Sequence, residues 1–296
     1  MNKLASTRYD KWFDIFNYLF LTVLIIIVIY PLYFVLIASF SDPNLTNSGQ
    51  VLFLPKGISL MSYELIFADL KIWIGYKNSL IYTFVGTLIN LAVALPAAYA
   101  FSRKDLKGGK ILIWIFLFTM YFNGGMIPTY LLIKNLGMLD TIWSLVLPNA
   151  VVVFYLLIAR TFFSTTIPDE LLDSSRIDGA SDFRFFISIV LPLSKAIIAV
   201  LALYHAIIHW NTYFNAMLYI SDASKQPLQI VLRSILLATD YSNEGMVDSK
   251  SLEEAVILKE TVKYSVIIIA SIPVLLLYPF VQKYFIKGVM IGAVKG

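Results

Sequence analysis

Six long apolar blocks, separated by polar segments of very unequal length, set the pattern of this chain. They run over about 15–40, 78–102, 111–133, 141–163, 196–220 and 264–285. Each is about the twenty residues that a helix needs to cross a hydrocarbon core. A span surrounded by lipid must satisfy its own backbone, so each is expected to be a helix, and no alternating barrel pattern is present. The first block is far too long for the apolar part of a cleavable signal peptide, about 7–15 residues, and reads as a retained span bent at Pro31. The pattern therefore predicts an all-α polytopic membrane protein with six transmembrane helices.

Composition agrees. The chain has 296 residues, of which 59% are hydrophobic and 14% charged, and its mean hydropathy is +0.77. A soluble domain carries about a quarter charged residues. The absence of cysteine removes disulfides, thiolate chemistry and Cys-ligated metal sites. Charge is sorted by side. With the N-terminus inside, the inner segments hold 14 of the 23 Lys and Arg residues. The short loop RKDLKGGK faces in and KNLGMLD faces out, which places both termini in the cytosol. The expected organisation is a cytoplasmic segment 1–14 and one transmembrane domain over 15–296. Within that domain lie an inner loop near 164–195, an outer loop near 221–263 and an inner tail near 286–296. The outer loop is either a solvated acidic connector or a docking surface for an outside partner.

The blocks hold almost no charge; Lys283, near the end of the last, can snorkel to the surface. No intramembrane carboxylate and no pair of interrupted helices is evident, so ion-driven pumping lacks its usual parts. Neutral polarity is organised instead. In LYHAIIHWNTYFNAM, at 100° per residue, Tyr204, His205, His209, Asn211, Thr212 and Asn215 share one sector. Leu203, Ile207, Trp210, Phe214 and Met217 share the other. Such a face suits a path for an uncharged, hydroxyl-rich solute, and equally suits hydrogen bonding between helices. His205 and His209 are four apart, but Ala206 stands where a metalloprotease has Glu, and no third His exists; no metal site is expected. The chain has no nucleophile elbow and no Walker A lysine motif, so it is not expected to be an enzyme or to hydrolyse ATP.

The polar run IPDELLDSSRIDGASDFRFFISIVLP stands out among these blocks. Pro168 with Asp169 and Glu170 opens a short helix, and Gly179 ends it. A second helix begins near Ser181 and Asp182, places Phe183, Phe186, Ile187 and Val190 on one face, and meets Pro192. The pair reads as amphipathic helices on the inner surface, either a plain interfacial connector or something that another protein grips.

These residues resemble the cytoplasmic EAA loop of ABC-importer permeases: Glu-Ala-Ala, three residues, Gly, nine residues, then Ile-x-Leu-Pro. Asp173, Ser174 and Ser175 stand for Glu-Ala-Ala, and Gly179 and Ile189-Val190-Leu191-Pro192 keep the spacing. The departures, Asp for Glu and two Ser for two Ala, preserve charge and small size. RIDGAS is similar to the form found in carbohydrate permeases. FNGGMIPTYLLIKNLGMLDTIWSLVLP and HWNTYFNA resemble the middle and fifth spans of oligosaccharide permeases, and KYFIKGVMIGAVKG the tail of the maltose-type second permease subunit.

The resemblance implies a plasma-membrane subunit of a prokaryotic importer for an oligosaccharide or polysaccharide fragment. Its implied partners are a second permease subunit, two ATP-binding subunits that hold the ATP and Mg, an extracytoplasmic solute-binding protein, membrane lipid and the carbohydrate; nucleic acid is not among them. Asp173, Ser174, Ser175, Arg176, Asp178, Gly179 and Ala180 would couple to the ATPases. The tail residues Gly292, Ala293, Val294, Lys295 and Gly296 would touch them as well. Tyr204, His205, His209, Asn211, Thr212 and Asn215 would line the path. The rival readings are an ABC permease for another solute, such as a polyamine or phosphate, and a membrane subunit for signalling or assembly.

Overall fold

A computed structural model describes residues 8–241, 262–277, 279 and 282. Among these the regular structure is helical, and the chain divides into two compact units, Met1–Asp69 with Ile235–Ser271, and Leu70–Ser234 with Ile272–Gly296.

In the first unit, α1 (Arg8–Ser39) runs as one helix through Pro31, and its residues 11–32 are exposed on every side. A helix that is apolar all round must have lipid or protein about it. Two short helices come next, α2 (Pro43–Asn47), capped by the Asp42 carboxylate, and α3 (Met61–Ala68). The Tyr63 hydroxyl reaches Ser39 Oγ at 2.9 Å, and Phe40 stacks on Tyr63.

In the second unit α4 (Leu70–Ser102) is a single 33-residue helix that begins eight residues before the expected 78. The next three expected spans are each broken, whereas no pair of interrupted helices is evident in the sequence. Block 111–133 is α5 (Gly109–Tyr121) and α6 (Met126–Asn135), bent by 108°. The cause is Asn123-Gly124-Gly125: Gly125 sits at φ 88°, ψ 172°, a conformation that only glycine adopts freely. Block 141–163 is α7 (Trp143–Val146), a 3₁₀ turn over Leu147–Asn149 containing Pro148, and α8 (Val153–Thr166), bent by 50°.

The polar run forms α9 (Asp169–Ile177), α10 (Asp182–Phe185), a π turn over Phe186–Val190, and α11 (Leu191–Leu193). The chain then turns through 83° into α12 (Lys195–Trp210). Block 196–220 is interrupted at Asn211–Tyr213 before α13 (Phe214–Tyr219). There the Asn211 amide and Thr212 hydroxyl donate back to the carbonyls of Ile207 and Ile208, competing with helix continuation.

The expected outer loop is partly helical, as α14 (Leu228–Tyr241), and is pinned at its start. Leu228 N–H donates to Ser79 Oγ, and the Asn78 amide to the carbonyls of Ser224 and Gln226. The sixth block is described as a helix over Val262–Leu277, α15; most of the chain beyond Leu277, with the tail 286–296, lies outside the described residues.

Two buried clusters hold the second unit. One joins Leu95, Ala98 and Tyr99 of α4, Leu156, Ala159 and Phe163 of α8, and Phe185, Phe186 and Val190 of the polar run. The other gathers Tyr82, Ile133, Leu145, Ala216, Tyr219 and Ile220.

Candidate functional site

The α9–α10 turn is built by local rules. Asp169 and Glu170 occupy the first turn of α9 and Arg176 the last, each matched to the helix dipole. Gly179 takes φ 71°, its N–H donates to the Arg176 carbonyl, and the Ala180 N–H donates to the Ser175 carbonyl. This pair of bonds closes the helix in a Schellman turn. Ser181 then caps α10 by accepting the Arg184 N–H. Among the described residues, nothing lies within 4 Å of where a Gly179 Cβ would sit. The positive φ is the internal constraint there; the space above the glycine is open.

Of the expected coupling residues, Asp173, Ser174, Arg176, Asp178 and Gly179 are exposed and Ala180 is half-buried. Ser175 is buried, and its hydroxyl donates to the Leu172 carbonyl. Ile177 at the tip is 87% exposed.

The second half differs from the expected stripe. Phe185, Phe186 and Val190 are buried, while Phe183 and Ile187 face outward. The π turn explains the shift, since an extra residue in one turn rotates those before it relative to those after it. Pro192 supplies the reason for the wide turn: it has no N–H for the carbonyl four residues back, and its ring crowds that carbonyl. Tyr99 packs against both Phe185 and Phe186, so the run is anchored in the core from one side.

From the other side it is held by charge. Arg103, just past the end of α4, is bidentate to Asp105 and also donates to Asp182 at 3.0 Å and to the Tyr99 hydroxyl. Arg176 reaches Asp105 at 3.2 Å, and Lys104 reaches Asp169 at 2.7 Å. The paired guanidinium holds the Asp105 carboxyl well below the usual carboxylate range, and the same hydrogen bonds raise Arg103. This clasp joins the α4–α5 loop to α9 and α10. Nothing in the sequence singles out Arg103, Asp105 and Asp182 as a group; there Arg103 is only one of the charges that mark the inner side.

The fifth-span residues do not form one surface. Asn211 is exposed at the helix break, and Tyr204, Thr212 and Asn215 are partly so. His205 and His209 are buried. A Cβ on Gly86 of α4 would lie 2.5 Å from His209 Nε2, so the glycine is what admits the ring. His209 is 2.6 Å from Asn90 Oδ1, while Asn90 Nδ2 donates to the carbonyls of Asn149 and Ala150. The amide orientation leaves Oδ1 as acceptor, so His209 carries its proton on Nε2. Asn90 therefore ties together α4, α12 and the broken fourth span, and it occupies the carbonyls that an interrupted helix would otherwise offer to an ion. His205 packs edge-on against Tyr155, and among the described residues neither of its nitrogens has a partner.

Apolar helices with broken spans, and a polar turn clasped to them but open outward, define a membrane transport component. The family model of the binding-protein-dependent transport system inner membrane component matches residues 70–291, and the chain belongs to this family. The match begins where the second unit begins. Among its relatives, a polygalacturonan/rhamnogalacturonan transport permease, YtcP of Bacillus subtilis (strain 168), is 40% identical over 97% of this chain and 99% of its own. The protein LplC of the same organism is 38% identical over the whole chain and 99% of its own. A chain in the crystal structure of a bacterial ABC transporter that imports the acidic polysaccharide alginate superposes with a TM-score of 0.85 at 31% identity. That superposition covers 96% of this chain and all of that one.

Proposed function

We propose that this chain is a six-span permease subunit of a binding-protein-dependent ABC importer for an oligosaccharide or polysaccharide fragment. In this reading each bent helix pair is one span, α15 is the sixth, and both termini lie in the cytosol of a prokaryotic cell. A second permease completes the path, two ATP-binding subunits bind and hydrolyse ATP with Mg, and an extracytoplasmic binding protein delivers the sugar. The carbohydrate assignment rests on full-length similarity to the polygalacturonan/rhamnogalacturonan permease and to the alginate importer chain.

One observation carries the coupling role. The α9–Gly179–α10 turn is open on its outer side, yet its second half is buried against α4 and α8. A push on Gly179 therefore moves α12 as a lever, not as a loose loop. Tyr204, Asn211, Thr212 and Asn215 line the path, with His209 serving the joint behind it and His205 packed one turn away. The tail Gly292–Gly296 contacts the ATPases.

The test is substrate-stimulated ATPase activity of the reconstituted complex with Gly179 replaced. Asn tolerates positive φ, whereas Ala at that φ costs about 1–2 kcal/mol. If a partner packs on the open space, Gly179→Asn and Gly179→Asp both abolish stimulation while the subunits still assemble. Full stimulation and uptake in both variants would end the coupling assignment.

A further inference from the structure

We propose that the cavity between the end of α4, the α4–α5 loop, the start of α5 and α8 binds the headgroup of an anionic phospholipid. The cavity has a volume of about 640 Å³. Arg103, Lys104, Lys110 and Arg160 line it, and no acidic residue does. Arg103 and Lys104 are already answered by Asp105, Asp182 and Asp169. Lys110 makes no ion pair among the described residues. Arg160 spends only Nε, on the Phe101 carbonyl at 3.0 Å, and its terminal nitrogens reach no carboxylate there. Two uncompensated cations around one hollow call for an anion. A guanidinium edge beside an ammonium suits the oxygens of a phosphodiester.

The remaining wall says what else the anion carries. Phe101, Leu106, Ile111 and Ile113 line the same cavity. It opens along α5, an apolar helix with no buried residue. One turn beyond Lys110 stands Trp114, 72% exposed. Tryptophan on a membrane-facing helix marks the headgroup level. An ionic head and an acyl tail continuous with it therefore fit, whereas a free phosphate would leave the apolar wall bare. Basic pockets between helices at this depth are a known way to hold acidic lipid. The site also abuts the clasp through Arg103 and Lys104, so a bound lipid would add an anion next to the attachment of α9.

The experiment uses the assembled importer in nanodiscs of phosphatidylcholine doped with either brominated phosphatidylglycerol or brominated phosphatidylcholine, reading quenching of Trp114 as the difference from Trp114→Phe. Quenching by the acidic probe should exceed that by the zwitterionic one, and Lys110→Gln should lower the relative affinity about fivefold, the worth of one cation near an anionic surface. Lys110 is exposed and unpaired, so the variant keeps the fold. Lys195→Gln, on the same inner side at the start of α12 and outside the cavity lining, is the control and should leave the preference unchanged. No preference in the wild type, as when a partner subunit covers the groove, overturns the site. An equal loss in Lys110→Gln and Lys195→Gln overturns it too, since the attraction is then diffuse. The readout needs neither sugar nor ATP, so it stands apart from the transport reading.

Discussion

Asn90 lies within α4 and Arg103 just beyond its end, and each gathers partners from elsewhere in the chain, but in opposite surroundings. Asn90 is fully buried and joins three segments by neutral hydrogen bonds alone: the His209 ring and the carbonyls of Asn149 and Ala150. Arg103 holds two carboxylates that are both more than half exposed, with Arg176 behind it as a second cation. In the buried junction the His209 ring and Asn90 Oδ1 answer only each other, so losing either orphans the other. In the clasp each pair is weak and partly replaceable, about 0.2–1 kcal/mol for exposed ion pairs. The broken spans thus share a joint with no substitute bond, and the polar turn an attachment spread over several ion pairs.

The largest effect expected from this contrast is at Gly86. Valine there would put a Cβ 2.5 Å from a ring that its own hydrogen bond prevents from moving away. Overpacking costs about 1–3 kcal/mol and an orphaned buried amide about as much again. Gly86→Val should therefore lower the thermal midpoint of the purified complex more than any clasp variant. A wild-type midpoint would show that α4 and α12 can part freely.

Arg103→Gln comes next. It removes the centre of the clasp but leaves Arg176 facing Asp105 and Asp182, so the expected loss is about 1–2 kcal/mol. The sharper measure is a double-mutant cycle with Asp182→Asn, in which the two losses should fail to add by about 0.5–1 kcal/mol. Strict additivity would mean that the two residues do not share an interaction.

How much of this is legible in the sequence depends on how far each cause lies from its effect along the chain. The start and stop of α9 come from Pro168, Asp169, Glu170 and Gly179, all local, and the structure has them there. Asn123-Gly124-Gly125 is equally visible, yet a hydropathy average over a whole span hides three residues that break it. The buried face of the second helix is misassigned by periodicity because periodicity assumes a constant turn, and Pro192 forces a wider one upstream. Asn90 and Arg103 are out of reach for a different reason. The partners of Asn90 lie 59 to 119 residues away, and Arg103, though it meets Asp105 two residues on, finds Asp182 only 79 residues away; a lone Asn in a span or an Arg after one reads as filler or flank until the chain closes on it.

The clasp also predicts a pH response. Asp105 is held below the ordinary carboxylate range, so its contribution is fully present above its unfolded value near 3.9. It is lost only as pH falls through the depressed folded value. A spin-label distance between the α4–α5 loop and α9 should stay constant from about pH 8 down to that unfolded value and lengthen only in stronger acid. Lengthening near neutrality would mean that another group controls the attachment.

The smallest effect is expected at His205, and it sets that residue apart from His209. Both are buried on α12 and four residues apart, so sequence treats them alike. His209 donates to Asn90, whereas His205 has neither nitrogen bonded and rests edge-on against the Tyr155 ring. Replacing a polar ring that has no partner with an apolar one of similar size removes a desolvation cost and forfeits no bond. Replacing His209 in the same way orphans Asn90 Oδ1. His205→Phe is thus expected to change stability by less than about 1 kcal/mol in either direction, and His209→Phe to cost about 2 kcal/mol. Thermal unfolding of the two variants side by side decides it. Equal losses would mean that His205 is bonded to something, a buried water foremost, and that the polar joint extends one turn further along α12 than Asn90.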